Sequence, residues 1–204
     1  MAVDRNRPDH DVTFDLQNGL VHLDGAPGRV LVPADALGVL CASASPEAVA
    51  SFGGAIGRTM GLRIAKRLAA PAEGEAAVTG AGDVRAASVE TMVAELGAEI
   101  ALAGLGSLGV ERWGKALVVV IDHCPLGPRG DRLLEHVVGE AVGSAAARDA
   151  RAALLGRDGA RVRLLVTSPQ AAERVKGWLQ EGVAWGDALT RLHAAPKAAE
   201  ARAT

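Results

Sequence analysis

The sequence predicts a single domain built from both helices and strands, and three observations support this. The chain has 204 residues, which is enough for one domain with a substantial core. Hydrophobic residues make up 49% of it and charged residues 23%, the balance of a folded domain rather than of a disordered chain. Apolar residues recur at helical spacing in some segments and alternate or run continuously in others. We expect a flexible arm over residues 1–10, one domain over 11–194 and a disordered tail over 195–204.

The first predicted element is a β-hairpin. Residues 12–16 and 20–23 alternate between apolar and polar side chains on either side of Asn18-Gly19. This pair readily adopts the positive φ angles of a tight turn between antiparallel strands. A short apolar piece over residues 29–32 then leads into a helical stretch that carries Cys41.

The longest predicted helix begins at Ser45-Pro46-Glu47 and reaches Leu68. Serine can cap the free amides of the first turn, proline fits that turn, and glutamate favours the positive end of the helix dipole. Four basic residues crowd the second half, and we expect them to form a solvated face rather than a nucleic-acid surface. They are Arg58, Arg63, Lys66 and Arg67. The apolar positions recur at spacings of three and four and form one stripe. They are Val49, Phe52, Ile56, Met60 and Ile64.

A ridge of three glycines, Gly53, Gly57 and Gly61, runs beside that stripe. Glycine inside a helix costs up to about 1 kcal/mol relative to alanine. Three of them on one side therefore predict a close contact, either with another helix or with a partner chain. We assign these three glycines to an interface on that ground.

Residues 69–87 lack periodicity and are expected to form a long surface loop. Ser88 then caps a second helix that ends in the glycine-rich segment 104–109. This segment is not a phosphate-binding loop, because it follows a helix and lacks the Lys-Ser/Thr pair of such loops. We expect it to be a tight turn.

The clearest strand is Ala116–Ile121, a continuous apolar run rich in β-branched residues. Asp131 is expected to cap a third helix, in which Gly139 and Gly143 are again four residues apart. Residues 151–155 and 161–166 form a predicted second hairpin. Ser168-Pro169 starts a fourth helix, and Gly182 separates it from a short final one.

Asp122-His123-Cys124 is the one local cluster with chemical potential, because it places a carboxylate, an imidazole and a thiol at a strand end. Adjacent residues on a strand point to opposite faces, however, so His123 and Cys124 are poorly placed to meet. We therefore favour a strand terminus with one buried cysteine, and we predict no catalytic residue. His22, His123, His136, Cys41 and Cys124 show none of the paired spacings of a metal site, so no metal and no cofactor are predicted.

Composition also bears on partners and location. A net charge of −2 and an aromatic content of 2% argue against a nucleic-acid partner. No apolar run approaches the roughly 18 residues of a membrane span. Cys41 and Cys124 lie far apart in the sequence and read as reduced thiols, so we expect a cytoplasmic protein. The excess of alanine, glycine, arginine and valine is typical of a GC-rich bacterial genome.

The order of these elements resembles the vinyl-reductase-type (4VR) domain, a small-molecule-binding fold shared with core subunits of the TRAPP trafficking complex. The similar stretch covers about residues 45–193. It comprises FGGAIGRTMGLRIAKRL, LAGLGSLGVERW, ALVVVIDHCP, LLEHVVGEAVG and EGVAWGDALTRL. The resemblance implies an α+β fold with an antiparallel sheet packed against several helices, like the Bet-three subunits of TRAPP. It also implies homodimers and an apolar pocket or channel.

This chain departs from the family pattern in one respect. Sensor members of the family bind zinc through cysteines around the last hairpin, and the corresponding stretch DARAALLGRDGARVRLLV contains none. The chain is thus a divergent member in which that zinc site is not expected. The family name does not establish reductase activity here.

Our first functional hypothesis is a non-enzymatic dimeric module that holds a small apolar ligand, or acts as a scaffold, in a bacterial cytoplasmic pathway. The alternative is a pure protein–protein adaptor without ligand, which the glycine ridges favour, and an enzyme using Asp122, His123 or Cys124 comes third. The ligand pocket would lie between the sheet and the helices, lined by residues that suit a core equally well. They are Val49, Phe52, Ile56, Met60, Leu96, Ile100 and Val119.

Overall fold

A computed structural model of the chain describes residues 12–23, 25–69, 89–113 and 116–194. The predicted arm and tail, nearly all of the predicted loop over 69–87, and Ser88 lie outside these residues. Within them the chain forms six α-helices and two antiparallel sheets. The helices are α1 (Ala34–Ser43), α2 (Pro46–Ala69), α3 (Val89–Leu102), α4 (Asp131–Ala145), α5 (Pro169–Gln180) and α6 (Trp185–Ala194). The strands are β1 (Val12–Asp15), β2 (Leu20–Leu23), β3 (Ala26–Arg29), β4 (Ser107–Trp113), β5 (Ala116–Asp122), β6 (Arg151–Asp158) and β7 (Arg161–Thr167).

The larger sheet has four strands in the order β4-β5-β7-β6, and every neighbouring pair is antiparallel. In the two central strands, Val119 of β5 lies opposite Leu164 of β7. Helices precede, interrupt and follow these strands. The fold class is therefore α+β, with an antiparallel sheet packed against several helices, as predicted.

Both faces of the larger sheet are covered. Because side chains alternate along a strand, Val119 and Ile121 of β5 enter the core formed with α2, α3 and α4. Val118 and Val120 point the other way, into a second cluster with α5 and α6. All four are at most 3% exposed. The near-continuous apolar character of β5 thus reflects burial on two faces rather than one.

The glycine ridge of α2 packs against α4 of the same chain. A Cβ built on Gly53 would lie 2.9 Å from the Cβ of His136, and one on Gly61 would lie 2.5 Å from the carbonyl oxygen of Ala141. A Cβ on Gly57 would collide with the carbonyl oxygen of Val137. The close contact that these glycines permit therefore joins two helices of one chain and leaves no space there for a second subunit.

Several expected boundaries differ from the structure. Gly104 and Gly106 do make a turn with positive φ, but β4 begins directly afterwards at Ser107, a strand that the sequence reading missed. Helix α4 has Gly130 rather than Asp131 at its N-cap, because a 3-10 turn over Pro128–Gly130 leads directly into the helix and Asp131 already has helical φ and ψ angles. The Asp131 carboxylate accepts a hydrogen bond from Arg157. The second hairpin is longer than predicted, since β6 continues through Gly156 to Asp158 and the turn lies at Gly159-Ala160.

The serine caps predicted at Ser45 and Ser168 are confirmed. The Oγ of Ser45 accepts a hydrogen bond from the amide of Ala48 at 3.2 Å, and the Oγ of Ser168 accepts one from Ala171 at 3.4 Å. Among the described residues, no helix combines the length and apolar character that would be needed to cross a bilayer.

The Ser168 cap yields a direct test. We expect Ser168→Ala to lower the free energy of unfolding by about 1 kcal/mol, because an amide of the first turn of α5 loses its partner. The measurement is the midpoint of urea denaturation. Ser51→Ala, at an exposed position inside α2, is the control and should change stability little. Equal midpoints for Ser168→Ala and the unchanged protein would contradict the role of the cap.

The smaller sheet is a meander in the order β1-β2-β3. Val12 pairs with Leu23 and Phe14 with Val21, so these four side chains share one face. Leu23 is 7% exposed, whereas Val12 and Phe14 remain 41% and 54% exposed. The predicted first hairpin is confirmed, but its turn is longer than Asn18-Gly19: β1 ends at Asp15, and of that pair Gly19 alone has a positive φ, at 66°. The described residues leave much of its apolar side uncovered.

Candidate binding groove

The seven residues predicted to line an apolar pocket are placed mainly in the core. Five of them are at most 5% exposed and belong to the cluster between the sheet and α2, α3 and α4. They are Val49, Met60, Leu96, Ile100 and Val119. Ile56 is half-buried and packs against the same cluster, while Phe52 points outward and is 46% exposed. Six of the seven residues therefore belong to one packed core or lie against it, and Phe52 does not.

The strand-end cluster is divided between solvent and interior. His123 is exposed and has a φ of 59°, an uncommon conformation for a residue with a side chain. Cys124 is 4% exposed, and its amide donates a hydrogen bond to the carbonyl of Ala160 at 2.9 Å. After the turn at His123, the side chain of Cys124 is buried, whereas the imidazole of His123 faces solvent.

Cys124 instead contacts a guanidinium group. Nη2 of Arg157 lies 3.8 Å from its Sγ, and Nε of Arg157 donates to the Asp131 carboxylate at 2.8 Å. Asp122 pairs with Arg161 at 3.4 Å. Asp122 and Cys124 therefore have separate partners, and His123 between them faces solvent. Among the described residues, no group of three or more histidine, cysteine or acidic side chains is arranged to hold a metal ion.

A groove of about 580 Å³ opens where α2, α4, α5 and β6 meet. The first turn of α2 forms one wall, the first half of α4 the floor, and the last two turns of α5 the opposite wall. Its lining combines apolar and titratable side chains. They are Pro46, Glu47, Ala50, Arg132, Glu135, His136, Leu154, Lys176, Leu179 and Gln180.

Glu135 anchors the floor of this groove to the sheet. Its Oε1 accepts a hydrogen bond from the backbone amide of Leu154 at 2.7 Å and lies 3.3 Å from the Nζ of Lys176. The carboxylate thereby joins α4 to the edge strand β6 and to α5. Its charge is compensated by Lys176, so the pair contributes polarity to the groove without a net charge.

His136 stands beside this pair with its imidazole half-buried. Burial lowers its pKa, and the positive charges of Lys176, Arg132 and Arg151 lower it further against the opposing effect of Glu135. The ring is therefore uncharged at neutral pH, when one nitrogen donates and the other accepts a hydrogen bond. Since Gly53 has no side chain, α2 can approach the Cβ of His136 closely.

Sequence reasoning reached parts of this groove without recognising it. Glu135 and His136 are adjacent in the third predicted helix, and His136 is considered only as a metal ligand and set aside. Lys176 gives no signal of its own, because its partner lies 41 positions earlier in the chain and is brought close only by folding. The one sequence feature that pointed to this groove was Gly53. Its place in the glycine ridge predicts a close neighbour, and that neighbour is His136.

Sequence reasoning also missed a buried ion cluster between α2 and α3. Glu99 is fully buried. Among the described residues it is the one charged residue that is as inaccessible to solvent as the apolar core. It accepts hydrogen bonds from Nε of Arg63 at 3.0 Å and from Nη2 of Arg67 at 2.7 Å, and Arg67 also pairs with Glu95. Two of the basic residues expected on a solvated face are thus bound to a carboxylate inside the protein.

Comparisons with known proteins provide a distant structural likeness. No family model matches the sequence, and no curated protein matches it either. One similar solved structure is the crystal structure of the phenol-responsive sensory domain of the transcription activator PoxR with phenol. It is 12% identical to this chain, with a TM-score of 0.46, and the match covers 89% of this chain and 91% of that one.

Proposed function

We propose that the protein is a non-enzymatic module that binds a small molecule, and that the groove between α2, α4, α5 and β6 is its binding site. The observation that carries this proposal is the combination of size and lining. Its volume of about 580 Å³ falls within the range of ligand sites, roughly 300–1,000 Å³. Ala50, Leu154 and Leu179 supply apolar walls next to polar groups that can orient a ligand.

The chemistry of the lining favours an amphiphilic ligand with an apolar body and one hydrogen-bonding group. The uncharged imidazole of His136 offers one donor and one acceptor. Arg132 adds a guanidinium group that can donate hydrogen bonds to a carboxylate or a phenolate, and Glu47 in the same lining balances its charge. The described lining includes no hydroxyl or thiol that could act as a nucleophile.

Blocking the groove provides the test. We expect the unchanged protein to take up phenol or benzoate saturably, as measured by isothermal titration calorimetry. Ala50→Arg places a long charged side chain in the groove and should weaken that uptake at least tenfold, because the apolar wall is lost and the volume is filled.

Ala55→Arg is the matched control, since Ala55 is exposed on the same helix and does not line the groove. It should bind as the unchanged protein does. Equal affinity in Ala50→Arg and Ala55→Arg would show that the probes bind elsewhere. The remaining candidates for a ligand site would then be the predicted pocket residues that lie in the core. They are Val49, Met60, Leu96, Ile100 and Val119. No saturable uptake of either probe by the unchanged protein would contradict the ligand role.

The proposal includes self-association into a homodimer and, from composition, a cytoplasmic role in a bacterium. A second candidate function, an adaptor or scaffold for other proteins, is favoured by one observation. Nine of the fourteen large apolar side chains that the described residues leave exposed lie between residues 12 and 40. An adaptor should co-purify with a stoichiometric protein partner, and a ligand-binding module without a scaffold role should not.

A further inference from the structure

The described chain has one large concentration of exposed apolar side chains, and it lies at the N-terminal end. Val12 and Phe14 project from β1, and Val30, Leu31 and Val32 follow β3; these five residues are termed the N-terminal apolar surface. Their side chains are 41%, 54%, 81%, 72% and 56% exposed, respectively. Leu16, Leu20, Val39 and Leu40 flank them and are exposed by 41% or more. Scattered apolar residues are normal on a protein surface, but a concentration of this kind marks an interaction site.

The described residues leave much of the apolar side of this region uncovered. It is a meander of three four-residue strands, so the sheet is small and buries little area between its own strands. Leu23 is covered within the chain, whereas Val12 and Phe14 on the same face are not. Helix α1, which follows, turns Leu37 and Cys41 to the core and leaves Val39 and Leu40 exposed.

We propose that the N-terminal apolar surface binds the same surface of a second copy of the chain. This inference rests on the homodimer included in the proposed function and assigns its interface. The area is appropriate, because the nine exposed side chains together offer an area of the order of 800 Å², which is what each partner contributes to a standard interface.

The free edge of the sheet supports a second copy rather than an unrelated protein. Strand β1 is at one edge of the meander, and no described strand pairs with its outer side. The other edge strand, β3, contains Pro27, which has no amide hydrogen to donate. Antiparallel pairing of β1 with β1 of a second copy satisfies the same edge in both chains. That arrangement has the self-complementary symmetry of a two-fold interface.

The test is the mass of the full-length protein in solution, measured by light scattering during size-exclusion chromatography. We expect a dimer for the unchanged chain and at least tenfold weaker dimerisation for the double variant V30E/L31E. These two residues lie outside any helix or strand and are highly exposed, so the substitution removes no core packing. Leu16→Glu, in the exposed turn after β1, is a second variant with the same expectation.

Leu62→Glu is the control, because Leu62 is 60% exposed on α2, outside this surface. It should remain a dimer. A monomeric unchanged chain at tens of micromolar would overturn the proposal, and so would dimers of undiminished strength in both surface variants. Benzoate binding measured on the same samples separates the two conclusions: a monomer that still binds benzoate through the groove overturns the dimer interface and leaves the ligand function standing.

Discussion

Replacing Gly57 with alanine is expected to destabilise the protein by about 1–3 kcal/mol, the cost of overpacking a well-packed contact. A Cβ at this position would collide with the carbonyl oxygen of Val137 and lie 3.0 Å from the amide nitrogen of Ala141. Both are backbone atoms of α4, so no side-chain rotation can relieve the collision and the two helices must move apart. Gly57→Val should be worse still, because two further methyl groups enter the same space.

Gly54→Ala is the matched control, since nothing lies within 4 Å of a Cβ built there. In the same helix it should raise stability by about 0.5–1 kcal/mol through the higher helix propensity of alanine. Thermal melts measure both variants, and 1 kcal/mol corresponds to a shift of about 2–4 °C for a chain of this size. Because the contact is within one chain, the mass in solution should not change. A melting temperature raised equally by both substitutions would contradict the close packing of α2 on α4.

The second large effect is expected at Glu99. Glu99→Ala should lower the free energy of unfolding by about 3 kcal/mol, the lower end of the range for breaking a buried ion pair. The substitution leaves two guanidinium groups without their shared carboxylate, and it opens a space between α2 and α3. The lower end applies because the side chains of Arg63 and Arg67 remain about a quarter exposed, at 25% and 26%, and can recruit water.

Glu95→Ala is the control for this cluster. Glu95 is 18% exposed and pairs with Arg67, which keeps Glu99 as a partner when Glu95 is removed. We expect a loss of at most about 1 kcal/mol. Urea denaturation distinguishes the two variants. Losses of equal size at the two positions would show that the full burial of Glu99 has no energetic consequence.

The pH dependence of stability gives an independent measurement on Glu99. Burial alone would raise its pKa, but the hydrogen bonds and positive charges of Arg63 and Arg67 outweigh burial and hold the pKa below its ordinary value of 4.5. A carboxyl with a lower pKa in the folded state stabilises the fold above its unfolded pKa, and this contribution is lost as the pH falls through the folded pKa. As the pH is lowered past about 4.5, the urea concentration at the midpoint of unfolding should therefore decrease. The decrease should be less steep in Glu99→Gln.

Local chemistry explains why most of the elements could be predicted. A serine cap, a proline in the first turn and a repeat of apolar residues act within a few positions, so Ser45-Pro46 and Ser168-Pro169 mark the starts of α2 and α5 in the sequence itself. Strand β4 escaped because glycines in Gly104–Gly109 read as a turn, and its exposed residues do not alternate clearly. This segment is a strand because it pairs with β5 over its whole length. Ser107 lies opposite Asp122 at one end, and Trp113 lies opposite Ala116 at the other.

The sequence by itself determined the class of the fold, the serine caps of α2 and α5, and the existence of a close contact along Gly53, Gly57 and Gly61. Only the tertiary structure decided what fills that contact, because any helix or second chain with a flat backbone surface meets the same requirement, and α4 is the one that lies there. It also decided that Arg63 and Arg67 are bound to Glu99, and that Glu135, His136 and Lys176 line one groove. Charge pairs between distant residues leave no periodic pattern in a sequence, since their energies depend on distances that exist only after the chain has folded.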